Sequence, residues 1–274
     1  MVRILAGIVL YNPDIGRLIE NYNAIVNQVD DVLIIDNGSD NYNDIDNYFN
    51  DKKVQIIRNY NNLGIATALS QIMEYASSNE FDWVLTLDQD SVCRDGIIEK
   101  YKEYLDLENA GILTCKIIDR NFKETNRIHN GSNQEINQCI TSGSFMNTKA
   151  YNYCDGFDKK MFIDGVDFDI CLNLRSHGYK IYRIDFVGLL HEVGHGKNVK
   201  LLFKDYIIYN HSPLRNYYMA RNTFYLVNKY PEYMSLRKEI LREIRAEVLI
   251  IIYEKNKVKK IMERWKGIHD LKNM

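Results

Sequence analysis

The stretch "WVLTLDQDSV", residues 83–92, runs from an apolar segment into a pair of carboxylates. Its first half predicts a short buried strand, which ends at Asp88 and Asp90. Side chains alternate along an extended chain, so these two carboxylates leave the backbone on the same side. Two carboxylates held together repel each other unless a cation or a shared proton joins them. An isolated pair of this kind more often caps a turn, so its meaning depends on the rest of the chain.

Strands and helices alternate around this stretch. The hydrophobic pattern predicts strands at residues 2–10, 32–35, 53–58 and 84–87, with helices at residues 14–27 and 65–77. Apolar strands joined by helices indicate an α/β fold with a mainly parallel sheet. Ligands bind such sheets beyond the carboxyl ends of the strands. We therefore expect Tyr11, Asp36 and Asp88, which stand at three strand ends, to converge on one crevice.

Composition excludes several classes of protein. The 274 residues are 46% hydrophobic and carry a formal net charge of -2, which gives no general attraction to nucleic acid. The five cysteines are odd in number and form no CxxC pair, which favours a reducing compartment. Residues 1–10 lack the features of a signal peptide, and the apolar run at 248–253 is far shorter than the roughly 20 residues that cross a bilayer. These features predict a cytoplasmic protein.

The common nucleotide-binding motifs are absent from the sequence. No GxGxxG follows the first predicted strand, and GxxxxGK[ST] occurs nowhere. A nucleotide would then need a metal to neutralise its phosphates. Mg²⁺ and Mn²⁺ both favour oxygen ligands such as those of Asp88 and Asp90.

Several segments, in this order, resemble family 2 glycosyltransferases. They are "VLIIDNGSDN" (32–41), "NNLGIATALSQIMEYA" (61–76), "WVLTLDQDS" (83–91), "ITSGSFM" (140–146) and "FIDGVDFDICLNLRSHGYKI" (162–181). The sequences of these segments are most similar to those of the bacterial rhamnosyltransferases. The similarity extends to "YYMARNTFYLVNKY" (217–230) and "KGIHD" (266–270). The resemblance implies an inverting enzyme with the GT-A fold. It would have a nucleotide-sugar-binding and catalytic domain at residues 1–215 and a helical extension at residues 216–274.

The resemblance also implies a donor site. Asp36 would hydrogen-bond the nucleotide base with Tyr11 beside it, although Asp36 is also suited to closing the turn that follows it. Asn62 and Gly64 precede a helix whose N–H groups would face the sugar-diphosphate, the alternative being a plain glycine turn. Arg221 would steady the diphosphate.

A metal site follows from the same resemblance. Asp90 would bind the ion directly, and Asp88 would contact either the ribose or the coordination shell of the metal. His191, in "LLHEVG", would complete the set, with His195 as its competitor. The expected cofactor is Mg²⁺ or Mn²⁺.

Inverting sugar transfer is a single displacement, and the attacking hydroxyl must lose its proton to a base. The resemblance assigns that role to Asp167, followed in order of preference by Asp169 and Asp164. The alternative for Asp164 or Asp169 is a helix N-cap. A metal would neutralise the leaving diphosphate as a Lewis acid.

The implied substrates are a nucleotide sugar and a glycan. L-Rhamnose from dTDP-L-rhamnose is the expected donor, and the acceptor would be a cell-surface polysaccharide or a polyprenyl-linked glycan. Thr141, Ser142 and Gly143 lie where the family lines its acceptor pocket, although a simple loop is an equal alternative. Galactofuranose, glucose or N-acetylhexosamine from a UDP donor are alternatives. A sugar-nucleotide pyrophosphorylase is the rival enzyme class.

The last forty residues differ from the alternating strands and helices before them. The pattern at residues 232–265 predicts one or two helices. Val258, Ile261, Met262 and Trp265 have the spacing of one helix face, in a segment rich in lysine. We expect this apolar side to pack against the catalytic domain or a second subunit of a homo-oligomer. An anionic membrane surface, at the inner face of the plasma membrane, is the alternative.

Overall fold

The computed structural model describes residues 2–50, 52, 54–119, 133–191, 196–201 and 203–274. Strands and helices alternate along most of the chain. In chain order they are β1 (Ile4–Leu10), α1 (Ile15–Ile25), β2 (Asp31–Asn37), α2 (Tyr42–Phe49), β3 (Gln55–Asn59), α3 (Ile65–Ser78), β4 (Trp83–Asp88), β5 (Val92–Cys93), α4 (Ile97–Lys102), β6 (Ala110–Asp119), β7 (Gln134–Ile136), β8 (Ser144–Asn147), α5 (Thr148–Tyr153), α6 (Val166–Ser176), β9 (Lys180–His191), β10 (Lys197–Leu201), β11 (Lys204–Ile208), α7 (Pro213–Lys229), α8 (Leu236–Tyr253) and α9 (Lys257–Asp270).

One large sheet organises the chain, with strand order β3-β2-β1-β4-β8-β6-β9-β5 and β7 paired to β9. Strands β1 to β4, β6 and β9 run in one direction, and β5, β7 and β8 run in the other. The α/β prediction with a mainly parallel central sheet is confirmed. The antiparallel strand β8 lies between β4 and β6, and so brings the residues just before it to the end of β4.

Apolar side chains fill both faces of this sheet. Every residue of β1 is buried, with Leu5 and Val9 in the core on one face and Ile4, Ile8 and Leu10 in the core on the other. A strand covered on both sides must be apolar at every position, which is why β1 reads as a continuous hydrophobic run.

The predicted elements of the first half lie close to those observed. The main difference is at β2, which continues to Asn37 because Asp36 and Asn37 pair with Arg58 and Asn59 of β3. Asp36 is therefore the penultimate residue of the strand rather than the first residue after it. Lys53, where the sequence pattern predicts that the third strand begins, lies outside the described residues.

Three helices form the C-terminal part. The sequence predicts one or two helices at residues 232–265. The structure has two there, α8 and most of α9. The predicted division at residues 215/216 falls within α7, which begins at Pro213, and the division itself stays a prediction. Among the residues that the structure describes, no helix is both long and apolar enough to cross a membrane.

The side of α9 that faces the protein is charged. Arg264 is only 4% exposed, and its Nε and Nη2 atoms donate to the Glu243 carboxylate at 2.5 and 2.6 Å. Lys260 is also buried, and its Nζ atom donates to Glu254 at 2.6 Å and to Asn210 at 2.7 Å. Buried charges need such partners. The side of the helix that carries Lys260 and Arg264 thus lies inside.

The apolar side of α9 consequently faces solvent. Met262 is 66% exposed and Trp265 60% exposed, and Val258 is exposed as well. The expectation that this side packs against the catalytic domain is wrong for Val258, Met262 and Trp265, whereas Ile261 is partly buried, and packing against a second subunit stays a prediction. The physical reason is that the buried ion pairs of Lys260 and Arg264 fix the rotation of the helix about its axis.

Arg264→Ala should lower the free energy of unfolding by about 3–5 kcal/mol, because it leaves the Glu243 carboxylate buried without its partner. Urea unfolding followed by circular dichroism measures this loss. Arg242→Ala is the matched control, since Arg242 is exposed and lies 3.6 Å from Glu239. It should cost no more than about 1 kcal/mol. Equal effects of the two changes would contradict this account of the helix.

Candidate active site

Asp88, Asp90 and His191 meet at the carboxyl ends of β4 and β9. Asp88 is the last residue of β4, and His191 is the last of β9. Strand β5 pairs with β9, with Val92 opposite Leu190, which folds the turn containing Asp90 back beside His191. One ligand atom of each of the three side chains lies within 4.8 Å of the others. The structure thus brings the predicted metal-binding residues together, while His195 lies outside the described residues.

The electrostatics of this group suit a divalent cation. The Asp90 Oδ1 atom is buried and accepts no hydrogen bond from the described residues, and the Nδ1 atom of His191 lies 3.3 Å away. Burial is the main reason why the pKa of the Asp88 carboxyl is raised to about 6. The imidazole of His191 opposes this rise in the pKa, and the carboxylates of Asp167 and Asp90 contribute to it. Two carboxylates and an imidazole fit a cation such as Mn²⁺, which would offset this crowding of negative charge.

Ser91 links the members of this group. Its Oγ atom lies 2.9 Å from His191 Nδ1 and 2.7 Å from Ser142 Oγ, and Ser142 Oγ in turn accepts the N–H of Asp88 at 3.1 Å. Both serines are buried. Sequence reasoning misses Ser91, although it stands directly after Asp90 in "LDQDS". Its position lets it orient His191 toward the carboxylates.

Asp167 lies in the first turn of α6 and is held by Thr141. Its Oδ1 atom accepts the Thr141 N–H at 3.0 Å and the Thr141 hydroxyl at 2.7 Å. Its Oδ2 atom accepts no hydrogen bond from the described residues, and the side chain is partly exposed. Burial raises the pKa of Asp167 above its usual value, and the two bonds from Thr141 partly offset this rise. A carboxylate fixed through one oxygen is suited to accept a proton through the other.

The two rival carboxylates are engaged elsewhere. Asp169 is fully buried, and its Oδ1 atom accepts Lys229 Nζ at 2.8 Å. Asp164 forms a two-bond ion pair with Arg215 at 2.5 and 3.2 Å. Neither caps α6, because the N-cap is Gly165, so the predicted capping role is wrong for both. Sequence reasoning misses Arg215, because nothing in its local sequence indicates a partner about fifty residues away.

Segment 141–143 is tied to the sheet. The Thr86 hydroxyl donates to the Thr141 carbonyl at 2.6 Å, and the Gly143 N–H donates to the Thr86 carbonyl at 2.8 Å. A Cβ atom on Gly143 would lie 2.9 Å from Leu189, and its φ of +79° also favours glycine. Thr141 and Ser142 are buried, and their hydroxyls bond to the site described above. The acceptor-lining role of the segment stays a prediction.

On the predicted donor side, Asp36 and Tyr11 differ in exposure. Asp36 is fully buried, and its carboxylate accepts the Ser39 N–H at 3.2 and 3.3 Å, which closes the turn after β2. Tyr11 is 48% exposed, and its N–H donates to the side chain of Gln89, between the two aspartates, at 2.8 Å. Tyr11 therefore lies beside the turn that carries Asp90, and the base contact of Asp36 stays a prediction.

In the turn before α3 two N–H groups are engaged within the protein, and the contact of Asn62 and Gly64 with a sugar-diphosphate stays a prediction. The Gly64 N–H donates to Asn62 Oδ1 at 2.9 Å, and the Ile65 N–H donates to the Phe162 carbonyl at 2.7 Å. These two N–H groups are not free for a diphosphate, because the protein itself occupies them. Gly64 has a φ of +86°, and a Cβ there would lie 2.5 Å from the Phe162 carbonyl oxygen. Close packing explains this glycine.

Arg221 fastens α7 to the segment before α6. Its Nη2 atom donates to the carbonyls of Lys160 at 2.8 Å and Met161 at 3.3 Å. The guanidinium also lies over the Tyr218 ring, 4.7 Å from its centre. These contacts define a structural role, and the predicted contact with a diphosphate stays a prediction.

Comparison with known proteins agrees with this fold. The family described as Glycosyl transferase family 2 matches residues 6–165, which is more than half of the chain. The chain belongs to this family. It is 30% identical over 276 residues to dTDP-rhamnosyl transferase RfbF of Shigella flexneri, covering 93% of this chain and 90% of that protein. The resemblance seen in the sequence is thereby confirmed.

Solved structures with the same fold include TarS of S. aureus. The crystal structure of TarS matches with a TM-score of 0.59 at 13% identity, covering 98% of this chain and 43% of that one, so this chain spans less than half of it. TarS 1–349 in complex with UDP-GlcNAc matches with a TM-score of 0.58 at 12% identity, covering 99% and 92%. The complex with UDP is equally similar, with a TM-score of 0.58 at 13% identity. The GT-A prediction is confirmed.

Proposed function

We propose that this glycosyltransferase moves L-rhamnose from dTDP-L-rhamnose to a hydroxyl of a cell-surface polysaccharide or a lipid-linked glycan, with inversion at the anomeric carbon. The observation that carries the proposal is that two adjacent residues join the carboxylates: Thr141 donates two hydrogen bonds to Asp167, and Ser142 accepts the N–H of Asp88, a member of the group with Asp90 and His191. The donor is supported by the 30% identity to a dTDP-rhamnosyl transferase.

In this mechanism Asp167 is the general base. Its Oδ2 atom accepts the proton of the acceptor hydroxyl as that hydroxyl attacks the sugar from the face opposite the leaving diphosphate. The two bonds from Thr141 hold the carboxylate in one orientation, which lowers the cost of reaching the reactive geometry.

The leaving group is dTDP, whose new negative charge must be balanced. Mg²⁺ or Mn²⁺ held by Asp88, Asp90 and His191 would supply a Lewis acid for the diphosphate oxygens. Ser91 orients His191 through its 2.9 Å contact, and so keeps the imidazole directed at the two carboxylates.

A UDP donor is the second candidate. It is favoured by the structural similarity to TarS in complex with UDP and with UDP-GlcNAc, at 12–13% identity. The sugar would then be an N-acetylhexosamine, glucose or galactofuranose. A cytoplasmic setting is part of the proposal under either donor and rests on the odd number of cysteines without a CxxC pair.

A calorimetric screen of nucleotide sugars separates these candidates. With Mg²⁺ or Mn²⁺ present, dTDP-L-rhamnose should bind at least about tenfold more tightly than UDP-glucose, UDP-galactofuranose or UDP-N-acetylglucosamine. EDTA should abolish binding of all four. Tighter binding of a UDP sugar would move the assignment to that donor. Failure of every nucleotide sugar to bind would contradict the proposed function.

A further inference from the structure

The outward sides of α8 and α9 form an exposed apolar surface, called here the α8–α9 face. Its members include Leu241, Ile244, Ile251, Val258, Met262 and Trp265, all of them exposed. The two helices pack against each other, with Arg264 of α9 paired to Glu243 of α8, and Trp265 interacts with Glu247 one turn further along α8. Glu247 lies one helical turn from both Ile244 and Ile251. Large exposed apolar surfaces of this kind mark sites of interaction.

The α8–α9 face cannot be turned inward. The opposite side of α9 is fixed by the buried pairs of Arg264 with Glu243 and of Lys260 with Glu254. Gly267 adds a steric constraint, since a Cβ there would collide with the Tyr217 carbonyl oxygen. Rotating the helix would break these contacts, so the apolar face is directed outward by the fold.

The fully exposed charges around the face are basic, and the acidic Glu247 within it is partly buried. Between residues 236 and 274, every exposed Asp, Glu, Lys or Arg side chain is a lysine or an arginine, and all of the acidic side chains are partly or wholly buried. Lys257, Lys259 and Lys266 flank the apolar residues of α9. Glu243 and Glu254, on the inner side, are neutralised by their buried basic partners.

A β-hairpin beside α8 likewise exposes an aromatic side chain next to lysines. Strands β10 and β11 pair, and the hairpin lies against α8 because the Tyr253 hydroxyl donates to the Lys200 carbonyl and Arg245 lies over the Tyr206 ring. Its tip carries Phe203, which is fully exposed. An exposed aromatic residue next to lysines suits the boundary between lipid headgroups and acyl chains.

We propose that the α8–α9 face docks on an anionic lipid surface. Its apolar side chains would enter the boundary of the acyl chains, and its lysines would contact the acidic headgroups. Charge complementarity favours this occupant over a second copy of the chain, because a two-fold dimer through this face would set lysines against lysines. The proposal goes beyond the proposed function, since it does not depend on which sugar is transferred.

Co-sedimentation with vesicles tests the proposal on the full chain. The protein should bind vesicles of phosphatidylcholine with phosphatidylglycerol, and binding to phosphatidylcholine alone should be much weaker. Met262→Ser with Trp265→Ser should weaken binding at least about tenfold, because two exposed apolar side chains are lost. Tyr153→Ser, which removes a side chain that is 68% exposed on α5, is the matched control and should have no effect.

A second variant tests how much the lysines contribute to vesicle binding. Lys257→Gln, Lys259→Gln and Lys266→Gln together should weaken binding to the acidic vesicles about 100-fold, and Lys149→Gln should leave it unchanged. Hydrolysis of the donor in solution should be unaffected in all of these variants, which separates this test from that of the proposed function.

Two results would overturn the proposal. The first is failure to bind acidic vesicles, or equal binding by all variants. The second is a dimer, seen by light scattering without lipid, that Met262→Ser with Trp265→Ser dissociates, because it would assign the face to a second copy of the chain.

Discussion

Asp167→Asn is expected to reduce sugar transfer by about 10²–10⁴-fold, the usual contribution of a general base. The amide cannot accept the proton of the acceptor hydroxyl, but its oxygen can still accept the two bonds from Thr141, so the fold and the donor site should persist. Steady-state kinetics together with calorimetric titration of donor and metal measure this split between rate and binding.

The pH profile provides a second readout of the same change. Asp167 must be ionised to act, and burial raises its pKa above the usual value. The value of kcat should therefore fall as the pH drops through this raised pKa, and Asp167→Asn should remove that acid limb together with most of the rate.

Asp164→Asn and Asp169→Asn are the matched controls for Asp167→Asn. Asp164 and Asp169 are bound to Arg215 and Lys229, so their replacement should alter stability more than the rate per folded molecule. A folded Asp167→Asn variant that binds donor and transfers sugar at nearly the original rate would rule Asp167 out as the base.

Asp90→Asn is expected to weaken metal-dependent donor binding at least about 100-fold, because even the outer partners of metal ligands are worth 10–100-fold in affinity. The Asp90 Oδ1 atom is buried and accepts no hydrogen bond from the described residues, and a neutral amide there offers no charge to offset a cation. Titration of Mn²⁺ and donor by calorimetry measures the loss.

Asp95→Asn is the matched control for Asp90→Asn. Asp95 is exposed and lies outside the group formed by Asp88, Asp90 and His191, so this variant should bind metal and donor like the unaltered protein. Donor binding by Asp90→Asn that is undiminished in EDTA would contradict the metal role of Asp90.

Much of the fold follows from local patterns in the sequence. These patterns place the apolar run of β1 and the helix at residues 65–77 within a few residues, because burial on both sheet faces and helical periodicity both leave direct traces. The resemblance predicts the convergence of Asp88 and Asp90 with His191, and the pairing of β5 with β9 shows how the chain achieves it.

Long-range partners explain what local patterns do not reveal. Periodicity shows which residues of α9 share a face, but not which face is turned inward. The answer depends on Glu243, which pairs with Arg264 from another helix. In the same way, the contact of Ser91 with His191 joins residues one hundred positions apart. No local signal predicts either contact.

The stereochemistry of donor hydrolysis tests the central claim most directly, because water can replace the unknown acceptor. The protein is incubated with dTDP-L-rhamnose and Mg²⁺, and the first free sugar is observed by time-resolved NMR. We expect dTDP together with L-rhamnose of the anomeric configuration opposite to that of the donor, and no reaction in EDTA or with Asp167→Asn. Free sugar that first appears with the configuration of the donor, or release of a sugar 1-phosphate, would contradict the central claim.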